Sequence, residues 1–298
     1  MRHDTTQRHG HRLRRRQDTD HRTATERRVA AWEASVDVAP GPDNELYSRR
    51  EQPVRLTPAE VRVSVVIPAR NEARNLRYVF SRLPVGLHQV IIVDGHSVDD
   101  TPQEALRLRP DVQIVHQTGK GKGDALSAGF EACTGDAIVM LDADGSTDPS
   151  EIPRFIAALC AGADFVKGSR YAQGGGSSDL TPTRRLGNAS LNWLVNSLFG
   201  TRYTDLCYGY NAFWSRCLPY IRLDVPGFEV ETLMAVRVAR AGLLIHEVPS
   251  YERPRLEGLS NLSAIRDGLR ILRTIMLERL RVSQRRALDA LLERSQIR

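Results

Sequence analysis

Ile138-Val139-Met140-Leu141-Asp142-Ala143-Asp144-Gly145 is an apolar run that ends on two carboxylates. A buried strand of this kind delivers its last residues to the edge of a sheet, and in open α/β sheets that carboxyl edge is where ligands bind. Two Asp separated by one residue, with Asp148 following, offer hard oxygen ligands suited to Mg²⁺ or Mn²⁺ carrying a phosphate group. Taken alone, the segment also reads as a strand leaving into a turn, since Asp and Gly are ordinary turn residues. The surrounding sequence has to separate the two.

Apolar runs of the same type recur upstream. Residues 62–68, 89–93 and 112–115 predict three strands before that at 137–141, the first stopped by Pro68 and the second ending at Asp94-Gly95. Helical spacing runs over 71–83. Asp99, Asp100 and Pro102 cap and open a helix to about residue 108, a glycine-rich loop at 119–123 opens one through Cys133, and Asp148-Pro149-Ser150-Glu151 caps the next. This alternation predicts the α/β class, a mostly parallel sheet flanked by helices. The second half is less regular: a short strand at 164–167, a glycine-rich loop at 173–178, helices at 186–199 and 229–241, and a strand at 243–248. Residues 265–280 form an amphipathic helix with Ile265, Leu269, Leu272, Ile275, Met276 and Leu280 on one face and Arg266, Arg270 and Arg273 on another.

Composition sets the limits. Of 298 residues 41% are hydrophobic, enough for a substantial core. Residues 1–60 lack apolar periodicity and read as a basic, mostly disordered extension with a short helix near 26–35. Residues 61–262 are the folded body and 263–298 a basic helical segment. The apolar runs fall well short of the ~20 residues of a membrane span. No apolar stretch near the N-terminus reads as a signal peptide, and Arg14-Arg15-Arg16 is not followed by one, so the expected location is cytoplasmic. Cys133, Cys160, Cys207 and Cys217 show no CxxC spacing and suggest neither zinc nor disulfides. Residues 1–28 and 263–298 each carry nine Arg against four acids, leaving −4 on the middle of a chain whose net charge is +6. Basic ends on a faintly acidic body suit an anionic surface partner, although a solvated Arg-rich tail is the plainer account of the N-terminus. Only three of the 42 basic side chains are Lys, namely Lys120, Lys122 and Lys167.

Three strand ends now converge: Pro68-Ala69-Arg70-Asn71-Glu72, Asp94, and Asp142-Ala143-Asp144 would all meet along one sheet edge. These residues resemble the family 2 glycosyltransferases, which have the GT-A (Rossmann-like) fold. The resemblance covers about residues 62–262 and rests on ordered motifs: Val-Ile-Pro-Ala-Arg-Asn-Glu (66–72), Val-Asp-Gly-His-Ser-Val-Asp-Asp-Thr (93–101), Gly-Lys-Gly (121–123) and Leu-Asp-Ala-Asp-Gly (141–145). Downstream, Gly168-Ser169-Arg170-Tyr171 and Arg255-Leu256-Glu257-Gly258-Leu259-Ser260 look like the polyprenyl-phosphate, or dolichol-phosphate mannosyltransferase-like, branch.

The resemblance implies an NDP-sugar donor, GDP- or UDP-linked. Pro68, Ala69, Asn71 and Glu72 would line its base and ribose pocket, and Asp94 would take a hydrogen bond from base or ribose. Lys122 and the loop amides would lie near the nucleotide end. Asp142, Ala143 and Asp144 would face the diphosphate, with Asp142 and Asp144 holding the Mg²⁺ or Mn²⁺ that bridges it. Gly95 departs from the pattern, since many relatives carry a second Asp there. The implied reaction is an inverting transfer. A hydroxyl acceptor requires a general base, for which Asp205, Glu229 and Glu231 are candidates. An acceptor phosphate is already ionised and requires cations instead: Arg170, Arg255 and Arg253, with Ser260 beside them. The basic helix would either lie on an anionic bilayer, placing the enzyme at the inner face of the plasma membrane beside polyprenyl phosphate, or pack on the body or on a second subunit of a homo-oligomer. Nucleic acid is not among the expected partners.

Other motifs compete. Gly95-His96-Ser97-Val98-Asp99 nearly matches the GxSxG elbow of α/β-hydrolases, but its last Gly is Asp, and His116 or His246 would have to complete the triad. Gly121-Lys122-Gly123 lacks the third Gly of a dinucleotide fingerprint and fails the P-loop pattern. A nucleotidyltransferase would put a basic Gly-rich loop directly after the first strand, where Pro68-Ala69-Arg70-Asn71-Glu72 stands. A binding protein that kept the fold without catalysis is opposed by intact Asp94, Asp142 and Asp144. The three His read as surface or satisfied core residues. Trp193, Phe199, Tyr208, Tyr210, Phe213 and Trp214 read first as core packing, with a share in an acceptor groove as the alternative.

Overall fold

The computed structural model describes residues 56–258 and 263–296. Seven strands form one sheet in the order β3-β2-β1-β4-β7-β5-β8. β1 (Val63–Ala69), β2 (Gln89–Asp94), β3 (Gln113–His116) and β4 (Ala137–Met140) lie parallel, in a register that pairs Val66 with Ile91 on one side and Met140 on the other. The apolar runs of β1, β2 and β4 reflect burial on both faces, as expected where helices cover a parallel sheet on each side, whereas the edge strand β3 is only half-buried. The connecting helices are α1 (Ala73–Arg82), α2 (Thr101–Leu108) and α3 (Lys122–Glu131). α4 (Ile152–Cys160) follows a short 3₁₀ turn (Pro149–Glu151) and leads to β5 (Phe165–Ser169).

The second half departs from simple alternation. β6 (Gly176–Ser177) belongs to a separate two-stranded ribbon with β9 (Tyr251–Glu252). α5 (Pro182–Phe199) begins at a Thr181 cap and ends at Gly200 in the left-handed conformation. β7 (Asn211–Trp214) then enters the middle of the sheet antiparallel to both β4 and β5, a strand that the sequence pattern does not announce. α6 (Leu218–Ile221), α7 (Val230–Arg240) and β8 (Ile245–Pro249) complete the body, and α8 runs over Ala264–Gln296. Most of the aromatic cluster is core, since Tyr208, Tyr210, Phe213 and Trp214 are buried, but Trp193 is 70% exposed.

A second apolar cluster joins α5, α7 and α8 through Val195, Ala235, Val236, Ile271 and Ile275. Here the amphipathic expectation meets a correction. Of the six apolar residues assigned to one face of α8, only Ile275 is buried; Ile265, Leu269, Leu272, Met276 and Leu280 face outward. The inner face carries Asp267, Thr274 and Glu278 beside Ile271 and Ile275. The acids go inward because arginines meet them: Arg237, Arg240 and Arg281 converge on Glu278. The short helix near 26–35 and Ser260 lie outside the described residues.

Candidate active site

β1, β2, β3, β4, β5 and β8 point one way and β7 the other, so the ends of six strands and the beginning of β7 share one edge. The chain steps from β1 out to β2 and β3, then returns across β1 to β4. The resulting crevice between β1 and β4 is the topological switch point at which α/β sheets bind ligands.

Two strained residues fix the loops on one side of that crevice. Asn71 and His96 are the non-glycine residues with positive φ among those described, at 59° and 60°. Asn tolerates this region because its short polar side chain bonds locally: Asn71 N–H donates to Ser97 Oγ at 3.0 Å, and Asn71 Oδ1 accepts from Val98 N–H at 2.8 Å. These bonds pin the loop after β1 to the loop after β2. They also engage the hydroxyl that the hydrolase reading would need. Asp94, buried at the end of β2, accepts from Ser97 N–H at 3.2 Å, and its other oxygen lies 3.3 Å from His116 Nδ1. At Gly95 an added Cβ would meet Ala69 O and Arg70 Cβ at 3.3 Å and Gln117 Oε1 at 3.4 Å, so this backbone leaves little room for the second Asp of the motif.

Across the crevice, Lys122 Nζ lies 2.5 Å from Asp142 Oδ1 and 2.6 Å from Glu231 Oε1. Burial opposes the ammonium, but the two carboxylates outweigh it and hold its pKa above the ordinary lysine value. Burial pushes the Asp142 carboxyl up, Lys122 draws it down, and Asp144 and Glu231 push it up again, leaving it raised. Gly209 backs this cluster. A Cβ there would stand 2.7 Å from Glu231 Oε1, 2.8 Å from Lys122 Nζ and 2.9 Å from Asp142 Oδ2. The antiparallel sense of β7 brings Gly209 to this edge, and no sequence signal marks it.

Arg255 spans the remaining carboxylates. Its Nη2 donates to Glu72 Oε1 at 2.6 Å and its Nε to Asp144 Oδ2 at 3.3 Å. Residues 253–256 are laid along the DxD turn by backbone bonds from Arg253 N–H to Ser146 O at 2.8 Å and from Leu256 N–H to Asp144 O at 3.2 Å. Burial raises the Glu72 carboxyl, against the pull of Asn75 and Arg255. Fully ionised, Glu72, Asp142, Asp144 and Glu231 would carry two more charges than Lys122 and Arg255 offset. That excess and the hard oxygens fit a divalent ion. Among the described residues no group of three or more His, Cys, Asp or Glu gathers as a metal cluster. A pair of carboxylates with phosphate oxygens and water completing the shell is a usual arrangement for Mg²⁺.

Other expected site residues are placed differently. Lys122, expected near the nucleotide end, sits at the Asp142 carboxylate, which faces the diphosphate in that expectation. The loop amides are not all open, since Gly123 N–H donates to Pro226 O at 2.9 Å. Ala69 and Ala143 are buried and contribute contour and backbone only. Asp205 is fully buried, held by Arg170 Nε at 2.6 Å, Arg170 Nη2 at 2.8 Å and Asn188 Nδ2 at 3.1 Å, which leaves it no access to an acceptor proton. Arg170 Nη1 completes that guanidinium's bonds at Glu252, 3.0 Å away, so phosphate contact is not its role in this arrangement. Asp148 is likewise taken by Arg82 and Ser150 instead of joining Asp142 and Asp144. Sequence reasoning passed over the ladder that holds residues 203–207: Asn188, Asn192 and Asn196, spaced four apart on α5, accept from the backbone N–H groups of Cys207, Leu206 and Tyr203. That i, i+4, i+8 spacing was its available signal.

Comparison with known proteins gives the family and agrees with the fold. The family model described as Glycosyl transferase family 2 matches residues 64–218. A polyprenol monophosphomannose synthase of Mycolicibacterium smegmatis is 33% identical over 72% of this chain and 85% of its own. An undecaprenyl-phosphate mannosyltransferase of Micrococcus luteus is 34% identical over 68% of this chain and 88% of its own. In fold, the chain is similar to a glucosyl-3-phosphoglycerate synthase of Mycobacterium tuberculosis, crystallised with Mn²⁺, UDP and phosphoglyceric acid. That match has a TM-score of 0.60 at 22% identity and covers 74% of this chain and 79% of that one.

Proposed function

The chain belongs to glycosyl transferase family 2, and from that premise we propose that it moves a hexosyl group, with inversion, from a GDP- or UDP-linked sugar to a polyprenyl phosphate. The observation that carries the donor half is the placement of Asp142 and Asp144, each facing a fixed cation, at the switch point of the sheet. Asp142 and Asp144 would hold Mg²⁺ or Mn²⁺, which when bound supplies positive charge against the departing diphosphate. Lys122 and Arg255 orient those carboxylates and add their own charge to the same region. Asn71, Glu72 and Asp94 shape the nucleoside end.

In this reading an acceptor phosphate oxygen attacks the anomeric carbon. The bond from that carbon to the diphosphate oxygen breaks, and its electron pair leaves with the nucleoside diphosphate. A phosphate monoester is ionised at neutral pH, so no proton has to be removed. Two of the three candidate bases support this economy: Asp205 is closed off by Arg170, and Glu231 is bound to Lys122. The acceptor half rests on the two relatives whose names specify lipid phosphates. No helix among the described residues is long and apolar enough to cross a membrane.

The test incubates purified protein and Mn²⁺ or Mg²⁺ with GDP-mannose, UDP-glucose and related donors, offering polyprenyl phosphate and 3-phosphoglycerate in parallel. The expected result is metal-dependent label in a solvent-extractable product, abolished by Asp144→Ala. Label confined to a water-soluble phosphorylated product would move the acceptor to a soluble molecule. Absence of any NDP-sugar binding, together with an inert Asp144→Ala, would overturn the donor reading.

A further inference from the structure

α8 is inverted for a helix that packs on a protein body. Its two acids between residues 263 and 281, Asp267 and Glu278, are each 1% exposed, while Ile265 is 80% and Leu269 63% exposed. Leu272, Met276, Leu277 and Leu280 also face outward. The charged side chains left on the surface there are all arginines, including Arg266, Arg270, Arg273 and Arg281. Asp267 and Glu278 draw arginines to their edges, yet Arg266, Arg270 and Arg281 remain 64%, 51% and 52% exposed in their side chains.

We propose that this outward face of α8 docks on an anionic lipid bilayer, with Ile265, Leu269, Leu272, Met276 and Leu280 entering the interface and the flanking arginines meeting lipid phosphates. Charge selects the occupant. A second copy would bring an identical cationic face, and like charges would oppose the contact. An anionic bilayer answers both features at once, taking apolar side chains below its headgroups and attracting cations at its surface. The inward acids explain how the face becomes purely cationic, since Arg237 and Arg240 of α7 neutralise Glu278 from the body side. The biological sense of this docking rests on the lipid-acceptor reading, but its measurement does not.

The experiment floats the full-length chain with vesicles of phosphatidylcholine alone and with vesicles containing phosphatidylglycerol. The triple variant Leu269→Ser/Leu272→Ser/Met276→Ser is compared with Val85→Ser, a still more exposed apolar site elsewhere. Flotation is expected only with phosphatidylglycerol, weakened by salt, unchanged in Val85→Ser, and reduced by about tenfold or more in the triple variant. The triple variant keeps every charge, including the nine arginines of residues 1–28, so undiminished flotation would show that the basic extension binds instead and would overturn the proposal. A lipid-free dimer in sedimentation that the triple variant dissolves would overturn it in favour of a second copy. Hydrolysis of the NDP-sugar, read separately, verifies that the variant is folded and reports on the donor site independently.

Discussion

Arg255 Nη2 lies 2.6 Å from Glu72 Oε1, joining residues 183 positions apart in the chain. The same guanidinium reaches Asp144, so one side chain spans the end of β1 and the DxD turn after β4. A planar fork can serve two carboxylates in this way, whereas a lysine ammonium is a single point of charge. Arg255→Ala is expected to lower kcat/KM by roughly tenfold to a hundredfold, the scale on which losing a group that orients metal-binding carboxylates is felt. Arg255→Lys should fall between that variant and the parent. Steady-state kinetics on the NDP-sugar measure both, and an unchanged kcat/KM in Arg255→Ala would remove Arg255 from the site.

Gly209 tests whether the Lys122–Asp142–Glu231 cluster is as tight as its geometry. A methyl group placed 2.7 to 2.9 Å from three charged groups has to displace at least one of them. Gly209→Ala is expected to cost about 1–3 kcal/mol of stability and to weaken binding of Mn²⁺ with GDP. Gly187 of α5 is the control, since a Cβ there meets nothing within 4 Å. Gly187→Ala should stabilise by about 0.5–1 kcal/mol, as alanine replacing glycine in a helix interior does. Urea unfolding and calorimetric titration read the two effects.

Much of the parallel half could be read from the sequence, because β1, β2 and β4 are buried on both faces and announce themselves as apolar runs ending in polar residues. β7 could not. Its four residues, Asn211–Trp214, form no pattern of their own, and their antiparallel place between β4 and β5 is set by pairing with distant residues. Gly209 went unseen for the same reason. For α8 the periodicity disclosed an apolar stripe, but which face turns inward depends on Arg237 and Arg240, which neutralise Glu278 from another helix. The DxD carboxylates were legible as a site. Their cations were only half so: Lys122 and Arg255 stood in motifs, but the pairing of each with a particular carboxylate is a tertiary fact.

Arg170 separates a structural role from contact with an acceptor. It closes three bonds on Asp205 and Glu252 and lies over the ring of Tyr208 at 4.9 Å. Arg170→Ala would leave Asp205 fully buried without its cation, a change that costs about 3–5 kcal/mol. The double variant Arg170→Met/Asp205→Asn should recover most of that loss, because it removes both charges together. Urea midpoints of the two variants decide the matter. Unaltered stability in Arg170→Ala with a raised KM for the acceptor would assign the guanidinium to phosphate after all.

The raised carboxyls of the site give the metal-free protein a pH dependence. Burial lifts Asp142 above 3.8 and Glu72 above 4.5, their ordinary values. A carboxyl raised in the folded state contributes stability that is complete below its unfolded pKa and is lost as pH rises through the folded one. The metal-free protein should therefore lose stability upward from about pH 4, and Asp142→Asn should lose less. Mn²⁺ with GDP requires the ionised carboxylates, so its affinity and its stabilisation should grow across the same window. Melting temperatures against pH, with and without Mn²⁺ and GDP, measure the crossover.

Asp148 gives the opposite sign. Burial alone would raise it, but the Arg82 fork and the Ser150 N–H and hydroxyl overcome that and hold it at about 2 against an ordinary 3.8. A depressed carboxyl contributes stability that is present above its unfolded pKa and disappears as pH falls through the folded one. The side chain is only 10% exposed, so the shift converts with little screening to about 2 kcal/mol. Asp148→Asn is expected to lose that amount at neutral pH, and its deficit should close as the pH is taken from 3.8 down to about 2. Urea unfolding at three pH values follows the closure. The same variant distinguishes this structural role from a third metal ligand. With Asp148 engaged by Arg82, affinity for Mn²⁺ with GDP should be unchanged in Asp148→Asn while it collapses in Asp144→Ala, and parallel losses in both would place Asp148 in the metal site.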